Sequence, residues 1–247
     1  MNSLPEDQII LIDKPTNISS FGVVAKVRAH LRDQFNHKIK VGHTGTLDPF
    51  ATGLLILLTG KMTKKSNEFL KLDKTYEATL KLGFTSTTGD PEGEITPYLP
   101  QTKNNSESTR TNNQTEQKPQ PTIPTELDVK KTLQAFIGKI TQTPPKYSAI
   151  KINGQRAYKL ARKDIDFIIP SREIEIYSID IIHYDYPNLT IRTHVSSGTY
   201  IRTLAEDIGK ALHTGAYLTA LRRTTIGNYT IEKANPLDYY LPSFVSD

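Results

Sequence analysis

Hydrophobic and polar residues are distributed along the chain in patterns that predict strands and helices. Residues 75–83 alternate strictly, and their even-numbered positions are all apolar or aromatic, which predicts a half-buried strand. The apolar run at residues 9–12 ends at Asp13-Lys14-Pro15, which predicts a buried strand that leads into a turn.

Three segments carry apolar residues at helical spacing. Ser19 or Ser20 is a suitable N-cap for a helix that extends to about residue 34. Asp128 is predicted to cap a second helix, which Gly138 closes. Thr199 is predicted to open a third helix.

Two strand-rich runs follow the second helix. They cover residues 174–186 and 189–197, and Pro187-Asn188 between them indicates a hairpin. The chain has no internal repeat. This mixture of hairpins and interspersed helices predicts an α+β fold.

Residues 101–122 contain no apolar residue except proline. Such a segment cannot bury enough apolar surface to offset the conformational entropy that ordering would cost. We therefore predict a disordered polar insertion here, within a single domain that covers residues 1–247.

The composition excludes several classes of protein. Cysteine is absent, so disulfides, thiolate nucleophiles and metal sites built on sulfur ligands are excluded. The longest aliphatic run has five residues, 54–58, whereas a membrane-spanning helix needs roughly 20. The first seven residues carry two acids and no base, unlike a signal peptide. A soluble cytoplasmic protein is expected.

The net charge of +5 is concentrated in one segment. Residues 139–163 contain seven basic residues and no acidic one, while the rest of the chain has 24 basic and 26 acidic residues. Surface charge usually mixes both signs. This segment therefore indicates a polyanionic partner, with a solvated charged face as the alternative.

The densest candidate for chemistry is GHTGTLDPFATGLL at residues 42–55. Its glycines and threonines before Asp48-Pro49 predict a tight loop that leads into a buried element. By local pattern alone, Asp48 is better explained as the start of a helix, with Pro49 in the first turn. A phosphate-binding loop is excluded, because no Gly-Lys-Ser/Thr follows.

This segment resembles the catalytic loop of the TruB family of pseudouridine synthases, which isomerise uridine in the T-arm of tRNA. Four further blocks follow the order of that family, and a terminal block completes the series. They are LIDKPTNISSF (11–21), DKTYEATLKLG (73–83), PPKYSAIKINGQRAYKLAR (144–162), VSSGTYIRTLAEDIG (195–209) and YLTALRRTTIGNY (217–229). The resemblance implies the pseudouridine synthase fold, a mixed and mainly antiparallel sheet flanked by helices.

The resemblance also implies catalytic roles for three residues. Asp48 corresponds to the nucleophilic aspartate of the family, which attacks either the sugar or the uracil or acts by a glycal route. Tyr76 corresponds to the tyrosine that packs on the target base and serves as general base, although its pattern also suits a core residue. Arg202 corresponds to the arginine that pairs with the catalytic carboxylate; without the motif, a solvated helix charge would be favoured.

Four more positions match substrate-binding residues of the family. Tyr200 and Leu221 match the walls around the flipped uracil, though both also suit a core. His43 matches a histidine that stacks in the T-loop after the base leaves. Lys64 matches a phosphate-contacting lysine, with a solvated lysine cluster as an equal alternative.

The basic segment resembles the thumb loop of the family, which closes on the RNA. Lys151, Arg156 and Lys159 are its candidate phosphate contacts. Tyr147 and Tyr158 are interleaved with the bases, as in surfaces that combine stacking with phosphate binding.

The resemblance therefore implies a tRNA pseudouridine-55 synthase that flips its target base. It implies no cofactor and no metal, and we expect a monomer. Many family members carry a C-terminal RNA-binding domain of the PUA type. Only about twenty residues follow the terminal block, so we expect no such domain.

Two alternatives stay open at this point. One is an enzyme of the same chemistry that depends on a guide RNA. The other is a non-catalytic protein that binds or folds tRNA on the same scaffold. Loss of Asp48, Tyr76 or Arg202 would favour the second, but all three residues are present.

Overall fold

The computed structural model describes residues 5–99, 123–152, 154–163 and 165–240, so the predicted insertion at 101–122 lies outside the described residues. In chain order the strands are β1 (Ile9–Lys14), β2 (Val41–His43), β3 (Thr52–Thr59), β4 (Lys74–Leu82), β5 (Phe84–Ser86), β6 (Ile95–Pro97), β7 (Gly138–Gln142), β8 (Lys151–Ile152), β9 (Gln155–Arg156), β10 (Arg172–Asp185), β11 (Asn188–Val195), β12 (Ala216–Ile226), β13 (Tyr229–Thr230) and β14 (Asn235–Pro236). The helices are α1 (Ser20–Phe35), α2 (Ser66–Leu70), α3 (Glu126–Gln134), α4 (Ala157–Ala161) and α5 (Ile201–Ala211), with 3₁₀ helices at Gly60–Lys65, Ile231–Lys233 and Leu237–Tyr240.

One large sheet organises these elements. Its strands follow the order β14-β1-β3-β12-β4-β11-β10-β7, with β2 paired to β3 and β13 paired to β12. The pairs β1–β14 and β3–β12 are parallel, and the other pairs of this sheet are antiparallel. The predicted α+β fold with a mixed, mainly antiparallel sheet is therefore confirmed. The predicted hairpin is the β10–β11 pair.

Strand β3 is buried on both faces, which explains its uninterrupted apolar sequence. Leu55 and Leu57 belong to the core cluster that includes the apolar side of α1. The intervening Leu54 and Ile56 belong to a second cluster, together with Phe69 of α2. The loop that precedes β3 is thus attached to one of the most deeply buried strands.

Strand β4 alternates between buried and half-buried residues, as its sequence predicts. Its buried face includes Leu80 and Leu82, which pack in one cluster with apolar residues of α3 and α5. Strands β11 and β12 flank β4 on its two sides. Tyr76 points to the same buried face of this central strand.

The predicted N-cap of α1 is confirmed, whereas α5 begins later than predicted. Ser19 caps α1, because its Oγ accepts a hydrogen bond from the Gly22 N–H at 3.0 Å. Helix α5 begins at Ile201 with Tyr200 as its N-cap, one residue later than the predicted opening at Thr199.

The predicted bounds of the α3 helix are wrong at both ends. Thr125, not Asp128, is the N-cap, and the Asp128 carboxylate instead accepts a bond from the Thr125 N–H at 3.0 Å. The two residues form a reciprocal capping box. Gly138 does not close this helix, which ends at Gln134; it begins β7 with a positive φ of 105°.

The buried face of β4 provides a direct test of this core. We expect Leu80→Ala to lower the free energy of unfolding by about 2–5 kcal/mol, because it removes a fully buried side chain and leaves a cavity. Ile182→Ala on β10 is the control, because Ile182 is 47% exposed. This substitution should lower the free energy of unfolding by about 0.5 kcal/mol or less. Equal losses in urea denaturation would contradict the core assignment.

Candidate active site

A cleft of about 550 Å³ opens where the loop before β3 meets β4, β12 and the start of α5. It has the size of a small-molecule site. Residues 147–149 and 158 of the basic segment form part of its wall. Five of the residues predicted to act in catalysis or to hold the uracil line it: Asp48, Tyr76, Tyr200, Arg202 and Leu221.

The Asp48 loop is fixed by buried polar contacts instead of by a helix. The helix start predicted from local pattern at Asp48-Pro49 is wrong, because the chain enters β3 at Thr52. Ser20 Oγ accepts a bond from the Leu47 N–H at 2.7 Å and donates to the Leu47 carbonyl at 2.9 Å. The start of α1 therefore holds the residue directly before Asp48.

A buried lysine holds the other side of this loop. Lys14 is fully buried at the end of β1, and its Nζ donates to the carbonyls of Pro15, Ile18 and Pro49 at 2.8, 2.7 and 3.2 Å. Burial lowers the pKa of Lys14 to about 8, although the negative charge of Asp48 opposes this shift. Lys14 thus places a positive charge behind the Asp48 loop.

Arg223 of β12 is the second buried cation at this loop. Its Nε donates to the Leu54 carbonyl at 2.8 Å and its Nη2 donates to the Gly45 carbonyl at 3.1 Å. The sequence pattern identified neither this arginine nor Lys14 as a support. The sequence signals that could have identified them are a lysine at the end of an apolar strand and an arginine within a strand.

Asp48 pairs with Arg202 at the floor of the cleft. The Nε of Arg202 lies 3.0 Å from Asp48 Oδ2, and its Nη2 lies 3.4 Å from Oδ1. The Arg202 side chain is only 5% exposed, so the solvated helix charge considered from the sequence is excluded. Its remaining donors reach the carbonyls of Thr88 and Tyr147 at 3.0 and 2.9 Å.

A second carboxylate, which sequence reasoning missed, completes this arrangement. Asp90 is buried, and its Oδ2 lies 3.4 Å from Arg202 Nη1. The Thr88 hydroxyl and the Glu92 N–H donate to Asp90 Oδ1 at 2.5 and 3.0 Å. Asp90 lies in a turn between short strands, where no periodic pattern distinguishes a buried acid from an exposed one.

The charges around Asp48 compete. Burial raises the pKa of Asp48, and the guanidinium of Arg202 is the strongest influence in the opposite direction. The negative charge of Asp90 raises the same pKa further, and Lys14 lowers it. The ionised state of this partly exposed carboxylate therefore depends mainly on Arg202.

Aromatic and apolar side chains form the walls. Tyr76 is buried on β4, and Leu221 is buried on the neighbouring strand β12. Tyr200 is fixed by Gln142, whose side-chain amide bonds its N–H at 2.8 Å and its carbonyl at 3.1 Å. The guanidinium of Arg172 stands over the Tyr200 ring at 5.0 Å.

Two of the predicted substrate contacts lie away from the cleft lining. His43 is half-buried on β2, where its Nδ1 accepts a bond from the Gly45 N–H at 3.4 Å. Burial lowers the pKa of His43, and the positive charges of Arg223 and Arg156 lower it further. Lys64 is exposed in a 3₁₀ helix after β3.

The basic segment at 139–163 is not one loop. Its first residues form β7, where Lys139 pairs with Glu173 at 3.3 Å. Its later residues include the paired strands β8 and β9 and helix α4, which follow the irregular stretch 143–150. Lys151 and Arg156 are opposite each other on these strands and, like Lys159 of α4, are exposed.

The described ranges contain neither a candidate metal site nor a candidate membrane-spanning helix. Within them, no group of three or more His, Cys, Asp or Glu side chains is arranged to hold a metal ion. No helix of the same residues is long and apolar enough to cross a membrane. The expectation of a reaction without metal or cofactor stays a prediction.

Two substitutions should move the pKa of Asp48 in opposite directions. Arg202→Gln removes the positive charge that opposes burial, so the pKa of Asp48 should rise above the wild-type value. Asp90→Asn removes a negative neighbour, so the pKa should fall. Titration of carboxyl carbons by NMR checks both changes. Shifts in the same direction would contradict the assigned electrostatics.

The comparisons with known proteins identify the family of the chain. Residues 32–112 and 100–201 match the family model described as TruB family pseudouridylate synthase (N terminal domain), and residues 202–239 match tRNA pseudouridylate synthase B C-terminal domain. The chain is 44% identical to tRNA pseudouridine synthase B of Phocaeicola vulgatus over 92% of this chain and 88% of that protein. It is 41% identical to the protein of the same name from Burkholderia lata, over 94% of this chain and 64% of the relative.

A solved structure has the same fold. A chain of a Cbf5–Nop10–Gar1 complex superposes with a TM-score of 0.64 and 26% identity, over 95% of this chain. The present chain spans about half of that longer one, 55% of its length. Family model, relatives and fold lead to one conclusion: the chain belongs to the TruB family of pseudouridylate synthases.

Proposed function

We propose that this protein isomerises uridine to pseudouridine in the T-loop of tRNA, at position 55, with Asp48 as nucleophile. The observation that carries the proposal is the Asp48–Arg202 pair at the floor of a cleft walled by aromatic and apolar side chains. The relatives named tRNA pseudouridine synthase B support tRNA as the substrate.

The reaction needs a group that holds one fragment while the base turns. The bond from C1′ to N1 of uracil breaks, a bond from C1′ to C5 forms, C5 loses its proton and N1 gains one. No oxidant, reductant or second substrate is consumed. A carboxylate supplies the covalent partner for such a step without a metal. Asp48 is the better placed of the two cleft carboxylates that pair with Arg202, because its side chain is 31% exposed whereas that of Asp90 is 5% exposed.

Arg202 keeps this carboxylate ionised. Without it, burial would favour the neutral acid, which is a poor nucleophile. The two-point contact also fixes the orientation of the carboxylate. Because Asp90 holds the opposite side of the guanidinium, Arg202 is a rigid partner for Asp48.

The target base has to leave the T-loop to reach Asp48. Extrusion costs a few kcal/mol, which stacking and pocket contacts offset. Tyr76, Tyr200 and Leu221 line the cleft and provide the surfaces that receive the uracil. Tyr76 is also the residue that we assign to accept the C5 proton.

Affinity for the tRNA comes from contacts outside the cleft. Lys151, Arg156 and Lys159 are exposed on the part of the basic segment beside the cleft, where they bind phosphates. His43 is assigned to stack in the T-loop at the place that the flipped base leaves. Lys64 is assigned to contact a further phosphate. The protein acts in this scheme as a cytoplasmic monomer.

The guide-RNA alternative has weaker support. The relatives with 41–44% identity are named tRNA pseudouridine synthase B, whereas the chain from the Cbf5–Nop10–Gar1 complex is 26% identical. A non-catalytic RNA-binding scaffold would not need a carboxylate that Arg202 orients within a cleft.

An unmodified tRNA transcript tests the assigned chemistry. Wild-type protein alone should form pseudouridine at the T-loop uridine, without any guide RNA. Asp48→Asn should reduce the rate by at least about 10³-fold, because the nucleophile is lost. Asp185→Asn, at the exposed end of β10, is the matched control and should retain full activity. Turnover by Asp48→Asn would refute Asp48 as nucleophile.

The phosphate contacts have a separate test. Neutralising Lys151, Arg156 and Lys159 to Gln together should weaken tRNA binding and reduce the slope of log affinity against log salt by about 0.7–0.9 for each lost contact. The control set carries the same charge change at exposed Lys130, Lys131 and Lys233. An equal change of slope in both sets would remove the basic segment from the interface.

A further inference from the structure

Buried polar atoms without a partner concentrate at the cleft. Among the described residues, three buried side-chain nitrogen or oxygen atoms have no hydrogen-bond partner: Gln8 Nε2, Ser148 Oγ and Arg172 Nε. Ser148 and Arg172 both line the cleft. Because native structures satisfy nearly all such groups, each exception calls for a physical reason.

Of these two residues, Ser148 is the one whose unpartnered atom is harder to explain. It is 4% exposed, and the backbone carbonyls around it are all hydrogen-bonded. The carbonyls of residues 147–150 each accept a hydrogen bond, in turn from Arg202 Nη2, Tyr158 N, Arg156 Nη1 and Ala157 N. The backbone therefore holds the Ser148 side chain in place while its hydroxyl has no partner in the described part of the chain.

This arrangement costs stability unless a ligand uses the hydroxyl. An unsatisfied buried hydroxyl carries a desolvation penalty, and alanine fills nearly the same space without it. The energetics of the free protein therefore favour alanine at this position. A bound molecule that supplies the missing partner removes the penalty.

The surroundings of Ser148 indicate which part of a ligand it meets. The carbonyl of the adjacent Tyr147 lies 2.9 Å from Arg202 Nη2, and the same nitrogen lies 3.4 Å from Asp48 Oδ1. Ser148 is thus next to the group that orients the nucleophile. Three polar atoms of uridine lie beside its glycosidic bond: the ribose ring oxygen O4′, O2 of the uracil and the ribose 2′-OH. The ring oxygen O4′ is a weak acceptor, so O2 and the 2′-OH are the stronger partners for a hydroxyl.

We propose that Ser148 is a further substrate-contacting residue, whose hydroxyl forms a hydrogen bond with the target nucleotide beside its glycosidic bond. The proposal rests on the proposed function, since it takes uridine as the ligand. A hydroxyl donates to uracil O2 and both donates to and accepts from the 2′-OH. The Ser148 hydroxyl can therefore form a hydrogen bond with either uracil O2 or the 2′-OH, and the test distinguishes these two contacts.

The test compares Ser148→Ala with wild type on a T-arm stem-loop RNA. Thermal unfolding is measured first, then the single-turnover rate, and then the Kd for stem-loops with uridine or 2′-deoxyuridine at the target position. Ser171→Ala is the matched control, because Ser171 is exposed and bonded to Thr143 Oγ1 at 2.6 Å. It should match wild type in every measurement.

Ser148→Ala should keep or raise the melting temperature and weaken binding of the uridine RNA by about 10-fold. Loss of affinity for the uridine RNA alone assigns the contact to the 2′-OH, and loss for both RNAs assigns it to the uracil. Unchanged affinity and rate would overturn the proposal. A lowered melting temperature would overturn it too, because the hydroxyl would then have a structural role. A wild-type protein that forms no pseudouridine would instead refute the proposed function.

Discussion

The ion pair between the partly exposed Asp48 and the buried Arg202 is the interaction on which the rest of the site depends. Burial alone raises the pKa of the Asp48 carboxyl, so the surroundings that shield the cleft also work against the charged form. Arg202 restores that form at close range, and Asp90 with two backbone carbonyls fixes the guanidinium in turn. The charge of Asp48 is thus a balance between desolvation and Asp90, which raise its pKa, and Arg202 and Lys14, which lower it.

The fold supplies this balance by bringing distant segments together at the middle of the sheet. The Asp48 loop is held by Lys14 from β1 and by Ser20 from α1, while Arg202 comes from the first turn of α5. The carbonyl of Tyr147 links the same arginine to the basic segment. A change in that segment on RNA binding would therefore act directly on the partner of Asp48.

Much of the fold and of the candidate site could be predicted from the sequence, where a hydrophobic pattern repeats or a motif is long. The alternation in β4 and the apolar run of β3 predicted their burial, and the resemblance brought Asp48 and Arg202 together. The roles of Asp90 and Lys14 could not be predicted, because they depend on tertiary contacts with residues far along the chain. The sequence contains the capping box of Thr125 and Asp128, but Asp128 is itself a preferred N-cap residue, so the local pattern alone favours the wrong cap.

The most direct test of the central claim is the pH dependence of single-turnover pseudouridine formation in wild type and Arg202→Gln. If Arg202 keeps Asp48 ionised, the acidic limb of the profile moves to higher pH in the variant, and part of the lost rate returns as the pH rises. A uniformly lower rate with an unmoved acidic limb would contradict the account. Arg202 would then orient the substrate without controlling the charge of Asp48.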